Sequence, residues 1–464
     1  MNKILALTLV VLLTNLVFAQ KAEKLDSLFK ELSSNKEFQG NALIAEKGKV
    51  IYSKSFGFRN ESLQERLDEN SIFELASISK QFTAFGIVLL KEKKKLKYDD
   101  KIATFLPELS FYGSITVRDL LTHTSGLPDY MHLLDSLFFT MGSENKIAVN
   151  TNVIEIFALH KPKLKFEPNT QFEYSNTGYV ILASIIEKVS GQTFSNFLES
   201  EIFSPLKMTN TSVYRRRFDP RRIENYAFGY VFSEKTNQNT LPDDNEDYTY
   251  VRKLDGIVGD GTVNSTVKDL YLWHQALNKS KLISDESMQE IFTAGKLNDN
   301  TLIEYSFGWR LEDNGLFGKM AFHGGSWPGY KTYIERHLDN NILIVFLQNY
   351  DNENIWFPIK QTREIMYDMK PITYITNTME NLKTFTGNFA YQNGTVHEVF
   401  LKDNKLLVLL YGDEMELKPI LQNKFHLIGF SPDVFFEFII ENNEVILRQT
   451  QPELRIDIKA IKKK

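Results

Sequence analysis

Apolar residues at Leu25, Leu28, Phe29 and Leu32 recur at intervals of three and four, which predicts an amphipathic helix over residues 21–32. Residues 38–58 hold two apolar runs around Glu46-Lys47-Gly48-Lys49 and predict a β-hairpin. A second hairpin is expected over 330–349, turning at Asp339-Asn340-Asn341. Between them, residues 77–90 read as a helix, and 151–205 as helices broken by Pro162, Pro168 and Gly191. Residues 232–250 are polar and predict a surface loop, and residues 354–368 read as helical. Pro371 and the Thr-rich stretch after it mark a boundary. From Phe385 onward short alternating segments are separated by turn signals at 387–388, 392–394, 402–404, 411–413, 431–433 and 441–443. That spacing predicts a small antiparallel barrel or meander. The run KEKKKLK at 91–97 follows a helix and reads as a solvated face.

The first residues follow another pattern. Met1-Asn2-Lys3 is a short positive start, and residues 4–18 are apolar except for Thr8, Thr14 and Asn15. Val17 and Ala19 stand at the −3 and −1 positions of a cleavage site before Gln20, so residues 1–19 read as a secretory signal peptide. The apolar run is shorter than the ~20 residues that span a bilayer. No cysteine follows it, which excludes a lipoprotein anchor. The expectation is an exported chain, periplasmic or secreted, with no integral membrane anchor.

Composition narrows the chemistry. With no cysteine at all, disulfides, zinc–thiolate sites, iron–sulfur clusters and a cysteine nucleophile are excluded. The 54 Lys and Arg against 59 Asp and Glu leave a net charge of −5, with no basic field to hold nucleic acid. The H-E-x-x-H pattern is absent and the eight His show no metal-ligand spacing, so neither a metal nor an organic cofactor is expected. A G-x-S-x-G elbow is also absent, its nearest approach being Gly324-Gly325-Ser326-Trp327-Pro328.

The S-x-x-K pattern occurs at Ser33, Ser77, Ser204 and Ser265. Ser33 ends a helix, Ser204 precedes Pro205, and Ser265 reads as a cap or first-turn residue of an ordinary helix. Only Ser77 follows an apolar strand-like approach, SIFELA, into a buried-looking helix. One turn apart, Lys80 can reach the Ser77 hydroxyl, and the helix N-terminus favours developing negative charge. A lysine in an apolar site can lose its proton and act as a base. Residues 171–178, QFEYSNTG, add Tyr174, a possible proton shuttle, and Asn176, a possible substrate-orienting amide. Residues 323–330, HGGSWPGY, add His323 and Gly325, which permits close approach of a substrate backbone. The Ser326 N–H can complete an oxyanion hole with that of Ser77.

The order S-x-x-K, Y-x-N, H-x-G resembles the penicillin-recognising serine hydrolases, and most closely their class C β-lactamase-like branch. LLTHTSGL at 120–127, YSNTGYVILASIIEKVSG and GDGTVNSTVKDLYLWHQAL at 259–277 resemble segments of that branch, and the likeness covers about residues 22–368. It implies an α/β sandwich: an antiparallel sheet flanked by N- and C-terminal helices beside an all-helical lobe, with the site between lobes. The hairpins would supply strands, the helices near 21 and 354 would pack on one face, and residues 77–220 would form most of the lobe. By resemblance Ser77 is the nucleophile of an acyl-enzyme, Lys80 and Tyr174 share the base role, and Asn176 holds the substrate. His323, Gly325 and Ser326 also belong to the substrate site, while His123 of the LTHTSGL segment is structural. His323 stands where β-lactamases carry the Lys of K-T-G, which weighs against β-lactamase activity. An ester or a D-amino-acid amide or peptide remains the expected small-molecule substrate, with transpeptidation a further option. The alternative is an inactive ligand- or peptidoglycan-binding protein on the same fold. The expected domains are the hydrolase at 20–370 and a lipocalin-like β domain at 378–464, which either stabilises or dimerises the chain or sends a loop over the site. Oligomeric state stays open.

Overall fold

The computed structural model describes residues 2–139, 146–351, 357–441 and 444–463. They form two compact units, Met1–Glu312 with Met320–Thr362, and Asp313–Lys319 with Arg363–Lys464.

The larger unit is built on a seven-stranded sheet. Its order is Tyr305–Ser306, Trp309–Asn314, Gly318–Trp327, Tyr330–His337, Ile342–Gln348, Gly40–Glu46, Lys49–Phe56. The two expected hairpins therefore meet between the fifth and sixth strands, where Leu43 lies opposite Val345 and Ile44 opposite Ile344 in antiparallel register. Both of these strands are buried along their whole length. That is the reason for their unbroken apolar runs: successive side chains enter opposite faces, and both faces are covered. On one face the helix Asn2–Ser34 brings Phe29 within 5.3 Å of the Tyr52 ring and 5.7 Å of Phe346. On the other, Leu43, Val345 and Leu347 join the core of the helical lobe. The periodic stretch expected at 21–32 is part of that one continuous helix, with Leu25 and Phe29 fully buried.

The lobe is led by Lys80–Glu92, in which every residue from Lys80 to Leu90 is buried. A helix apolar on all sides must lie inside. It packs against Asn176–Ser190, and a Cβ on Gly86 would come within 2.9 Å of Ile186 Cδ1. Among the described residues no helix is long and apolar enough to cross a membrane.

Some expectations change. The loop expected over 232–250 contains ordered pieces: the strands Tyr230–Ser233 and Gln238–Thr240, two 3-10 turns, and the helix Tyr250–Lys253. Tyr230–Ser233 also pairs in parallel with Tyr350–Asp351, a partner remote in sequence that local polarity does not reveal. The cap of the helix Val267–Asn278 is Thr266, while Ser265, expected as a cap or first-turn residue, ends a buried strand. The helix expected at 354–368 is Ile359–Met366, and residues 354–356 of that expectation lie outside the described residues.

In the smaller unit eight strands from Gly387–Tyr391 to Ile456–Lys462 form a closed antiparallel barrel in sequence order. Alternation fills it: Phe436 and Phe438 point inward with Phe389, Phe425 and Leu447, and closure leaves no free strand edge. Gly387-Asn388, expected as a turn, opens the first strand, and residues 442–443 lie outside the described residues.

Candidate active site

The chain reaches Ser77 by an abrupt bend. Phe73–Glu74 pairs with Val263–Ser265, the Leu75 N–H donates to the Val263 carbonyl at 2.9 Å, and the Leu75 carbonyl accepts from Thr332 Oγ1 at 2.7 Å. The next residue, Ala76, takes a left-handed φ of +48°. An alanine there costs on the order of 1 kcal/mol, which the pinned neighbours must offset. A 3-10 turn over Ala76–Ser79 follows, and then the helix from Lys80. The bend sets Ser77 on the wall of a cleft of about 270 Å³ within the larger unit, shared with Asn176, Ser326, Tyr250, Trp327 and Glu74.

Lys80 is completely buried (0 % exposed). Its Nζ donates to Ser77 Oγ at 3.1 Å, to Asn176 Oδ1 at 2.9 Å and to the Asp260 carbonyl at 2.8 Å. The amide oxygen and the carbonyl can only accept. Ser77 alone can exchange roles with the amine: it accepts from an ammonium, or donates its O–H to the lone pair of a neutral Lys80. Asn176 is fixed in turn, its Nδ2 donating to Asp129 Oδ2 at 3.1 Å. The Asp260 carboxylate accepts from the Tyr130 hydroxyl at 3.0 Å; burial raises its pKa, opposed by Lys80.

The Tyr174 ring lies 5.0 Å from Lys80 Nζ, and its buried hydroxyl has no hydrogen-bond partner among the described residues. It contacts neither Ser77 nor Lys80 by a hydrogen bond. His123 adopts φ +56°, lies 4.3 Å from the Tyr174 ring at a tilt of 37°, and accepts from the Ser175 N–H at 3.1 Å, so it holds the backbone between Tyr174 and Asn176. His323 is buried behind the cleft. Its Nδ1 lies 2.7 Å from the Gly324 carbonyl, an acceptor, so Nδ1 carries the proton and Nε2 accepts from the Tyr305 hydroxyl at 3.1 Å. Burial first, then the Lys80 charge, pushes its pKa down to about 3, which keeps it neutral. Gly325 has no room for a side chain: a Cβ would stand 2.3 Å from the Leu75 carbonyl and 2.2 Å from Thr332 Oγ1. That close packing brings the strand bearing Ser326 against the Leu75–Ala76 backbone.

Ser77, Lys80 and Asn176 are thus joined by hydrogen bonds, Ser326 lines the cleft with Ser77 and Asn176, and Tyr174, His323 and Gly325 are not among the residues that line it. Sequence reasoning missed Asp129, Asp260 and Tyr305. The first two sat in or beside segments already singled out, but their partners come from distant parts of the chain.

A seven-stranded sheet with a helical lobe, and a serine bonded to a buried lysine one turn on, define a serine hydrolase of the penicillin-binding-protein type. The Beta-lactamase family model matches residues 25–355, and the chain belongs to that family. It is 38% identical over 427 residues to penicillin-binding protein 4* of Bacillus subtilis (strain 168), across 90% of this chain and 94% of that one. Among solved structures it is similar to the octameric penicillin-binding protein homologue from Pyrococcus abyssi, with a TM-score of 0.62, 24% identity, and coverage of 95% of this chain and 99% of that one. It is also similar to the D-amino acid amidase from Ochrobactrum anthropi SV3 complexed with D-phenylalanine, with a TM-score of 0.59, 23% identity, and coverage of 77% and 99%.

Proposed function

We propose that the chain is an exported hydrolase in which Ser77 is acylated by an ester or a D-amino-acid amide or peptide. One observation carries the reading: a buried Lys80 whose only role-exchanging partner among the described residues is the Ser77 hydroxyl, 3.1 Å away. In the neutral form Lys80 takes the Ser77 proton as Oγ bonds to the substrate carbonyl carbon. The oxyanion is received by the backbone N–H groups of Ser77 and Ser326. Collapse breaks the bond to the alcohol or amine, which leaves with a proton from the Lys80–Tyr174 pair. Water then attacks the acyl-enzyme by the same route in reverse, giving the acid and free Ser77. Asn176, held by Asp129, orients the acyl group.

The neutrality of His323 supports an ester or aminoacyl substrate over a β-lactam. Among the described residues no Lys or Arg lines the cleft to receive a substrate carboxylate. The likeness to a D-amino acid amidase supports the same choice. Export is supported by the signal-peptide pattern at 1–19 and by the penicillin-binding-protein relative. Cleavage before Gln20 would leave Leu25, Phe29 and the 3.0 Å pair of Lys21 with Glu46 in place.

The test is labelling of the chain from Gln20 with a fluorophosphonate, read as intact mass. One adduct, absent in Ser77→Ala, is expected. No adduct on folded protein would overturn the hydrolase reading and leave a binding protein on this fold.

A further inference from the structure

Four carboxylates line the cleft: Glu74, Asp255, Asp260 and Asp351. Three are engaged. Asp255 holds Arg217 Nη1 at 3.2 Å, Asp260 accepts from Tyr130, and Asp351 pairs with Lys331 at 3.0 Å. Glu74 is 7 % exposed, and its side chain makes no hydrogen bond or ion pair among the described residues. An uncompensated carboxylate is among the costliest groups to bury.

The charges around it do not balance. Arg217 binds both Asp243 and Asp255, and Arg216 binds Asp243. Arg215 is taken by Asp219. Glu74, Asp243 and Asp255 therefore face two guanidiniums, one positive charge short. Tyr226 and Tyr330, titratable neighbours of Glu74, supply no cation; burial first raises the pKa of both hydroxyls, and the Glu74 carboxylate adds to the shift. Burial and the charge of Asp255 push the Glu74 pKa up to about 7, as expected where a cation is missing. The position is also close to the chemistry. Glu74 stands three residues before Ser77, so their Cα atoms lie within about 10 Å, and both face the same cleft.

Resting on the hydrolase reading above, we infer that Glu74 is a specificity-determining residue whose carboxylate binds a primary ammonium carried by the acyl part of the substrate. The substrate class is then an unblocked aminoacyl amide, ester or peptide. A blocked or carboxylate-bearing acyl group would leave Glu74 unpaired against it and be rejected.

The experiment uses the full mature chain carrying Ser77→Ala, so that ligand persists, and titration calorimetry. D-alaninamide is compared with N-acetyl-D-alaninamide. Binding of the free amine at least about tenfold tighter is expected, since pairing with a buried charge is worth more than a single tenfold step. Glu74→Gln should bring the ratio close to one, and Glu74→Asp, which keeps the charge, should preserve a preference for the amine. A ratio near one in the parent, a ratio untouched by Glu74→Gln, or no heat from D-alaninamide would each overturn the assignment. The two readings fail separately. An intact ratio without fluorophosphonate labelling of Ser77 would remove the hydrolase and leave the ammonium site. Labelling without a ratio would do the opposite.

Discussion

Ser77–Lys80 and Ser265–Lys268 have the same spacing of three residues and lie in the same unit, the second serine on the strand that pairs with the residues leading to the first. Around Ser77 the lysine is buried and turned inward onto the serine, an amide oxygen and a carbonyl. Around Ser265 the serine is buried instead, sharing a 2.7 Å hydrogen bond with Thr211 Oγ1, while the Lys268 side chain is 44 % exposed and pairs with Glu69. The difference lies in what surrounds each pair. A helix starting at Lys80 and buried on every side leaves its first lysine no route to water. A helix starting at Val267 with a polar face lets Lys268 reach solvent. Spacing supplies reach, and burial with an amide oxygen and a carbonyl as its other partners turns Lys80 onto the Ser77 hydroxyl.

The largest effect should separate the serines. Ser77→Ala is expected to abolish fluorophosphonate labelling and lower turnover by about 10⁴-fold or more. Ser265→Ala should leave labelling intact. It should cost about 1–3 kcal/mol of stability, because Thr211 loses a buried partner. Loss of labelling in folded Ser265→Ala would show that the two sites are not independent.

The lysines come next. Lys80→Met should reduce acylation by about 10²–10⁴-fold, the range for a removed general base, and strand Asn176 Oδ1 and the Asp260 carbonyl without their donor. Lys268→Met removes an exposed pair worth under about 1 kcal/mol and should leave acylation unchanged within a factor of about two. Equal losses in stopped-flow acylation rates would break the contrast.

Glu74 extends the comparison from bases to acids and gives a stability effect of about 3 kcal/mol. Its folded pKa, about 7, lies above the ordinary 4.5. Between those values the folded chain holds a proton that the unfolded chain has lost, so stability falls as pH rises from 4.5 to 7. Above pH 7 the whole penalty is present, about 1.36 kcal/mol for each of roughly 2.5 units. Glu74→Gln should therefore be more stable than the parent at pH 8 and equal to it near pH 4, read as urea midpoints. A difference independent of pH would mean that Glu74 is not the group responsible. Removing a buried charge would then stabilise the empty protein while erasing its preference for an ammonium ligand, a trade expected of a binding residue.

Much of this site was legible before any coordinates. Ser77, Lys80 and Asn176 stand in short segments whose apolar approach and helical spacing are local properties. The strands Gly40–Glu46 and Ile342–Gln348 were legible for the same reason: ALIA and ILIVFL are runs that only two-sided burial explains. The barrel showed itself through its turns. Glu74 was not legible. It sits in SIFELA as a polar residue in an apolar strand, and only the positions of Asp255, Arg217 and Asp243, far along the chain, show that it lacks a cation. The strand Tyr230–Ser233 escaped for the same reason, since its parallel partner is Tyr350–Asp351. The separation of Tyr174 from Ser77 was likewise invisible in a motif that records order and not distance.

The smallest effect concerns His323, and it tests whether burial silences a titratable side chain as firmly as it places Lys80. An ordinary histidine would change charge near pH 6.5, in the middle of the working range. Here burial and the neighbouring Lys80 push the pKa down to about 3, and both ring nitrogens are already committed to Gly324 and Tyr305. No proton is taken up between pH 5 and 9, so no inflection of acylation rate in that range should belong to this residue. His323→Asn should lower the plateau by at most about tenfold through loosened packing, and its pH–rate curve should superimpose on that of the parent after scaling. An inflection near pH 6 that disappears with His323→Asn would show the imidazole titrating in the site, and the neutral role assigned to it would fail.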